Sequence, residues 1–179
     1  MLVTFVGGDD GPWRIERIEP VKGEALAPAR RLGIFEDTPP PDGGRWSLRG
    51  ATSSERYVTP VEQAELGRRS PVLGRTDASL AALIPIRKSD AWWRMPQDER
   101  RAIFEDRSHH IATGLRYLPA VARRLHHGHD LGEPFDFLTW FEFAPSNSSG
   151  FEELVAMLRE TEEWSYVERE VDLRLVRSD

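Results

Sequence analysis

The sequence predicts an α+β fold with an antiparallel sheet, and three neighbouring segments carry that prediction. Phenylalanine or threonine occupies every second position from 135 to 143, which places these side chains on one face of a strand. Residues 151–158 carry apolar side chains on one helical face. Apolar residues then alternate with charges over residues 167–175, as in a further strand. A strand, a helix and a strand in succession are typical of the α+β class.

The N-terminal third predicts three more short strands, at residues 2–6, 13–18 and 45–50. The proline-rich stretch from Thr38 to Gly44 is the clearest loop of the chain. Neither side of this loop holds enough apolar residues for a core of its own. We therefore interpret it as a connector within a single domain that covers residues 1–179.

The middle of the chain predicts both helices and a strand. Pro60 and Pro96 stand at helix starts, because proline is well tolerated in the first helical turn. The apolar run Leu80–Ile86 predicts a strand, and Pro85 within it predicts that this strand lies at a sheet edge or ends there. The run 149–152, Ser-Gly-Phe-Glu, has the spacing of a capping box before the late helix.

Composition excludes several classes of protein. The chain has 179 residues and no cysteine, which excludes disulfides, thiolate-bound metal centres and cysteine nucleophiles. The formal net charge of −6 argues against a general nucleic-acid binder. A membrane span needs about 18 consecutive apolar residues, and the sequence has no such run. The N-terminal residues lack the pattern of a signal peptide, so we expect a cytoplasmic protein.

All five histidines lie between positions 109 and 129, and imidazole is the commonest metal ligand in proteins. The pattern predicts a helix from about His109 to Leu125. His126, His127 and His129 are expected at a solvated helix end, where positive charge is favoured. His110 precedes an apolar helical stripe. It is either a core histidine or a ligand, and its position does not decide between the two.

Several long strings carry a family resemblance: Ile84–Trp93, Ser108–Ala112, Tyr117–Leu125, Asp130–Glu142 and Glu162–Asp172. Together they resemble the chlorite dismutase family of haem b proteins, and most closely its short, dimeric branch. The similarity runs from Arg49 to Arg177, and more loosely over Gly7–Leu26.

The resemblance implies a ferredoxin-like α+β barrel that holds one haem b per subunit in a homodimer. Residues 1–50 would be a shortened N-terminal part, and residues 80–177 the ferredoxin-like part that binds haem. The implied activity converts chlorite, a small anion, to chloride and dioxygen with formation of the O–O bond. Two alternatives stay open: decarboxylation of coproporphyrin haem, and a non-enzymatic role in haem binding or sensing. An arginine at position 123 favours the dismutase, because the decarboxylase branch usually carries another residue there.

The resemblance also assigns roles to individual residues. His110 is implied as the proximal iron ligand, Glu163 as the acceptor of a hydrogen bond from its ring, and Arg123 as the distal arginine. Thr139 and Phe141 are implied on the distal wall. Four further residues are implied near the haem edge and its propionates, and these are Arg56, Tyr57, Lys88 and Trp92.

Without the resemblance, Glu163 would be an ordinary solvated helix acid. Arg123 would be one of 22 arginines among 24 basic residues, the other two being Lys22 and Lys88. In a straight helix, His110 and Arg123 would be separated by about 20 Å, at about 1.5 Å per residue, and could not flank one iron. The implied roles therefore require the helix to bend or end between them, for which Gly114 and Pro119 are suitable places.

Overall fold

Antiparallel strands close into one barrel in the computed structural model, which describes residues 1–52 and 57–178. Around the barrel the strands follow the order β1-β3-β2-β8-β5-β7-β6-β4. Their bounds are β1 Leu2–Gly8, β2 Trp13–Lys22, β3 Arg31–Glu36, β4 Trp46–Ala51, β5 Leu80–Lys88, β6 Val121–His127, β7 Phe137–Phe143 and β8 Val167–Arg177. The fold is thus α+β with an antiparallel sheet, as the sequence predicts, and β3 is a strand that the sequence analysis missed.

The helices lie mostly in the connections of the C-terminal half. Their bounds are α1 Pro60–Arg69, α2 Asp90–Arg94, α3 Gln97–Arg101, α4 His110–Arg116 and α5 Ser148–Arg159. A π-helical segment, Ala102–Arg107, continues α3, and short 3₁₀ turns cover His129–Leu131, Pro145–Asn147 and Glu163–Tyr166. None of the helices in the described part of the chain has the length and apolarity needed to cross a bilayer.

Two apolar clusters lie on opposite faces of the sheet. The inner cluster fills the barrel with side chains such as Phe5, Leu32 and Leu173. The outer cluster joins the outward residues of β5, β6 and β7 to the apolar face of α5, where Phe151 is fully buried. This two-sided burial is possible because side chains alternate between the faces of each strand.

The helix predicted from His109 to Leu125 is wrong in its second half. Helix α4 ends at Arg116, a cis peptide bond joins Leu118 to Pro119, and strand β6 follows. Proline has no N–H to continue a helical ladder, whereas residues 121–127 all find antiparallel partners in β7.

The prediction of a solvated helix end for three histidines is therefore also wrong. His126 and His127 lie on β6 and are buried, with 2% and 5% of their surface exposed. His129 lies in a 3₁₀ turn, where its Nδ1 is 2.7 Å from Asp136 Oδ1 and its ring stacks on Trp93. Tertiary packing, which the histidine spacing does not report, decides all three environments.

Three smaller predictions also need correction. Pro85 lies inside β5, between β7 and β8, at a point where the pairing with β8 skips from Leu83 to Ile86. The expected capping box does not form, because α5 begins at Ser148 directly after a 3₁₀ turn and Asn147 makes no side-chain cap. Phe135 precedes β7 and packs in the inner cluster, whereas the other members of its series belong to β7.

Candidate functional site

A pocket lies between the outer face of the C-terminal strands and the helices that cover it. Its wall is largely apolar, and the apolar side chains that form it are Val58, Leu66, Ile84, Ile86, Trp92, Phe104, Ile111, Leu125, Phe137, Phe141, Leu154, Val155, Leu158 and Trp164. Polar side chains enter at a few points, namely Tyr57, Lys88, His110, Arg123, Thr139, Glu163 and Glu170. An apolar pocket with a few convergent polar groups is the usual form of a ligand site.

His110 is the first residue of α4 and faces this pocket. Its ring stacks on Phe104, with the centroids 4.4 Å apart. The helix start is fixed by Glu105, whose carboxylate accepts hydrogen bonds from the N–H groups of Ile111 and Ala112. These are orphan donors of the first helical turn, so Glu105 holds the backbone that carries His110.

The other partner of His110 is a carboxylate. Nδ1 of His110 is 2.7 Å from Oε2 of Glu163, which is only 3% exposed. Because Nδ1 is engaged, Nε2 is the ring nitrogen left to bind a ligand. A carboxylate on the second nitrogen fixes the orientation of an imidazole and makes it a stronger donor to a metal.

Lys88 completes this arrangement from strand β5. Its Nζ lies 2.7 Å from Oε1 of Glu163, and both side chains are buried. Burial opposes ionisation of Glu163, but the charges and hydrogen bonds of His110 and Lys88 prevail and lower its pKa to about 2. Burial also opposes ionisation of Lys88 and therefore lowers its pKa, whereas the charge and hydrogen bond of Glu163 act in the opposite direction. The carboxylate is thus held charged between two nitrogen donors.

The remaining residues implied at the haem edge have different surroundings. Trp92 is fully buried, and the ammonium of Lys88 lies 4.0 Å from its ring centroid. The indole N–H of Trp92 has no hydrogen-bond partner among residues 1–52 and 57–178. Tyr57 packs edge-on against Trp92 and accepts a hydrogen bond from Arg100. Arg56 falls outside the described residues.

Arg123 reaches the same pocket from strand β6. Residues 123 and 125 line this pocket, whereas Arg124 and His126 line a second pocket on the other face of the sheet. The end of α4 at Arg116 satisfies the condition that the helix must stop between His110 and Arg123. Both side chains can therefore face one cavity, as the sequence analysis required.

Thr139 and Phe141 lie next to Arg123 on the same sheet face. Arg123 is directly opposite Phe141 in the pairing of β6 with β7, and Leu125 is opposite Thr139. All four line the pocket. Their two-residue spacing places Thr139 and Phe141 on the same strand face, as the shared wall that the resemblance implies requires.

Glu170, which the sequence patterns do not single out, is fully buried and lines the pocket. It accepts a hydrogen bond from the indole of Trp164 at 2.8 Å and two from the guanidinium of Arg159. The alternation along β8 was visible in the sequence, but it does not reveal that α5 covers the charged positions. The burial of Glu170 and Asp172 is possible because Arg159 pairs with both, while Trp164 also donates to Glu170 and Arg174 also pairs with Asp172.

Known proteins resemble this chain over most of its length. The family model described as Chlorite dismutase matches residues 45–178. A chlorite dismutase of Ideonella dechloratans is 28% identical over 142 residues, which are 77% of this chain and 45% of that protein. The chain thus spans less than half the length of this curated relative.

Solved structures extend the similarity to the fold. The crystal structure of dimeric chlorite dismutases from Nitrobacter winogradskyi is 57% identical in sequence and has a TM-score of 0.92. That match covers 98% of this chain and 99% of the other. A mutant chlorite dismutase from Candidatus Nitrospira defluvii is 25% identical, has a TM-score of 0.61, and covers 74% of this chain and 55% of its own.

Proposed function

The chain belongs to the chlorite dismutase family, and we propose that it binds haem b in the pocket and converts chlorite to chloride and dioxygen. The observation that carries this proposal is the pair formed by His110 and Glu163 at the wall of an apolar cavity that Arg123 also lines. A histidine ligand, a carboxylate behind it and a cation facing the same cavity are the three protein groups that the family resemblance implies for this chemistry.

The residues present fit a haem. His110 offers one imidazole nitrogen, and the apolar walls suit a flat hydrophobic macrocycle. The indole N–H of Trp92 has no partner within the part of the chain that the structure describes, so it is a buried donor available to an acceptor group of the ligand. Lys88, which the resemblance implied near the propionates, has its ammonium on Glu163 and is better interpreted as part of the histidine support. When bound, a haem iron with a single histidine supplies the redox chemistry and an open coordination position.

Three charged side chains have separate roles around the proposed haem. Glu163 holds the proton on Nδ1 of His110 and keeps the ring in one orientation. Lys88 neutralises the other carboxylate oxygen, so the charge of Glu163 is compensated inside the apolar surroundings. The guanidinium of Arg123 supplies a positive charge at the wall of the cavity, which attracts the chlorite anion. The apolar wall excludes water, which strengthens that attraction.

The proposal extends to assembly and organisation. We expect a homodimer, which the 57% identity to dimeric chlorite dismutases supports. The C-terminal strand order β8-β5-β7-β6, with helical connections, supports a ferredoxin-like haem-binding part over residues 80–177. A cytoplasmic location and the absence of a nucleic-acid partner stay predictions from the sequence.

The test begins with a visible absorption spectrum of the purified protein, in which haem binding gives a Soret band. An oxygen electrode then records whether chlorite addition releases dioxygen. Arg123→Ala should lower the rate of oxygen release at least about tenfold while haem stays bound, because the cation that draws in the anion is lost.

The matched control is Arg124→Ala on the same strand. Arg124 faces the other side of the sheet and pairs with Glu36, so its loss should leave turnover near the wild-type value. Equal turnover in the two variants would remove Arg123 from the proposed function. Bleaching of the haem without oxygen release by the wild type would reject the dismutase and favour decarboxylation or haem sensing.

A further inference from the structure

The only two lysines of the sequence converge on one turn of the structure. Lys88 donates to the carboxylate of Glu163, at the start of the 3₁₀ turn Glu163–Tyr166. Lys22 reaches the other end of that turn, where its Nζ lies 3.0 Å from the carbonyl oxygen of Trp164 and 3.1 Å from that of Val167. The other basic residues of the chain are all arginines, and both lysine ammonium groups donate hydrogen bonds to the segment that contains Glu163.

The position of Lys22 is set by the backbone of β2. This strand runs antiparallel to β8, and Lys22 stands opposite Glu170 after a register shift at Pro20. Gly23 follows with a positive φ of 71°, and a Cβ there would lie 3.2 Å from the carbonyl oxygen of Glu168. A close backbone approach therefore holds the end of β2 against the start of β8, within reach of the turn.

A single 3₁₀ turn leaves its terminal carbonyls without partners inside the turn. One of them, that of Tyr166, accepts a hydrogen bond from the N–H of Ser89 at 2.7 Å. The carbonyl of Trp164 accepts from the N–H of Val167 within the turn, and Lys22 adds an external donor to it and to the carbonyl of Val167, the first residue of β8. At the other end, the N–H of Glu163 donates to Ser108 Oγ at 3.0 Å. The turn is thus fixed at both ends.

We propose that Lys22 is a positioning residue for the pair of His110 and Glu163. By fixing the C-terminal end of the turn, its ammonium keeps the Glu163 carboxylate within hydrogen-bond distance of His110 Nδ1. Strand β2 lies outside the segment that the family model matches, so on this proposal the N-terminal part of the chain supports the site indirectly, through the turn. This inference rests on the proposed function, because it concerns the support of the haem-binding histidine.

The expected effect is moderate. Loss of a group that orients a metal ligand typically lowers metal affinity by about 10- to 100-fold. Lys22 acts one step further away and is exposed to solvent. We therefore expect Lys22→Met to speed haem dissociation about fivefold.

The experiment compares the haem-loaded wild type with Lys22→Met, Lys22→Arg and Arg14→Met. Haem transfer to an excess of apomyoglobin gives the dissociation rate, and resonance Raman spectra of the ferrous protein give the stretching band of the bond between iron and histidine. Lys22→Met should speed haem loss and shift or broaden that band. Lys22→Arg should keep the wild-type dissociation rate and the wild-type iron–histidine band, since a guanidinium can also donate to two carbonyls.

Arg14→Met controls for the loss of a cation from β2, because Arg14 pairs with Glu16 away from the turn. A wild-type band and dissociation rate in Lys22→Met, or an equal change in Arg14→Met, would overturn the inference.

Failure of the proposed function has a different signature, namely a wild type that binds no haem. Hydrogen exchange of the amides of residues 164–167 in the haem-free protein then decides the role of Lys22. Faster exchange in Lys22→Met supports its hold on the turn, and unchanged exchange rejects it.

Discussion

The two halves of the barrel share one strand order but differ in what covers them. The N-terminal strands follow the order β4-β1-β3-β2, and the C-terminal strands follow β8-β5-β7-β6, which is the same order relative to each half. In the N-terminal half, short loops make the connections from β1 to β2 and from β3 to β4. In the C-terminal half, the corresponding connections contain helices α2 to α5.

This difference decides where a ligand can bind. The outer surface of β2 carries exposed ion pairs, such as Arg14 with Glu16 and Arg17 with Glu19. The outer surface of β5, β6 and β7 is apolar and covered, and the pocket lies between the sheet and its cover. The same strand framework therefore produces a solvated face in one half and a binding cavity in the other, according to the length of the connections.

The sharpest test of this division replaces His110, which the helical connection between β5 and β6 contributes. His110→Asn should abolish the Soret band and oxygen release, because the proposed ligand is lost. The fold should persist, as judged by circular dichroism, since most of the core lies on the sheet. His109→Asn is the control. His109 is exposed and has a positive φ of 51°, a conformation that asparagine tolerates. A normal Soret band in His110→Asn would contradict the ligand assignment.

The second test removes the buried charge behind the histidine. Glu163→Gln leaves the ammonium of Lys88 buried without its counter-charge, which should cost about 3 kcal/mol of unfolding free energy. Urea denaturation of the haem-free protein measures this loss. The same change in the pair of Glu62 and Arg101, whose side chains keep 23% and 24% of their surface exposed, should cost less, about 1 kcal/mol. Equal losses in the two variants would mean that the covered face offers no special environment for charge.

The third test examines the barrel interior, where the halves meet. His126 of β6 packs edge-on against Phe5 of β1, and its Nδ1 lies 2.8 Å from Thr52 Oγ1. Burial, with the nearby charges of Arg124 and His127, lowers the pKa of His126 from 6.5 to about 4.

The unfolded chain therefore binds one more proton than the folded protein between these two pH values. The stability contributed by neutral His126 is complete above about pH 6.5 and is lost as the pH falls towards 4, by at most about 3 kcal/mol. His126→Asn should remove this part of the pH dependence when urea unfolding is measured at several pH values. An unchanged slope would show that His126 titrates alike in both states.

Local patterns predicted much of the fold. The alternation in β7 and β8 and the apolar face of α5 were read correctly, because each lies on an element with one consistent environment per face. The prediction failed at β6. Only residues 117–120 separate it from helix α4, and the ladder with β7 is what makes its residues a strand.

The site divides in the same way. The family resemblance named His110, Arg123 and Glu163 from the strings that contain them, and the structure brings all three to one pocket. It did not reveal that Lys88 binds Glu163, that Glu170 is buried, or that Lys22 reaches the turn. These contacts involve charged residues that look solvated in any local window.

The sequence by itself determined the class of fold and the family, and it singled out His110 as the proposed iron ligand. Periodicity and rare strings are properties of neighbouring residues, so a sequence is enough to reveal them. The tertiary structure decided the rest: closure of the barrel, the face that the helices cover, and the partners of each charge. Glu163 meets His110 across 53 positions and Lys88 across 75, and Lys22 meets Trp164 across 142. A pattern of buried and exposed positions states which side of an element is covered, but not by what. That choice arises only when distant segments pack and each buried charge must find its partner.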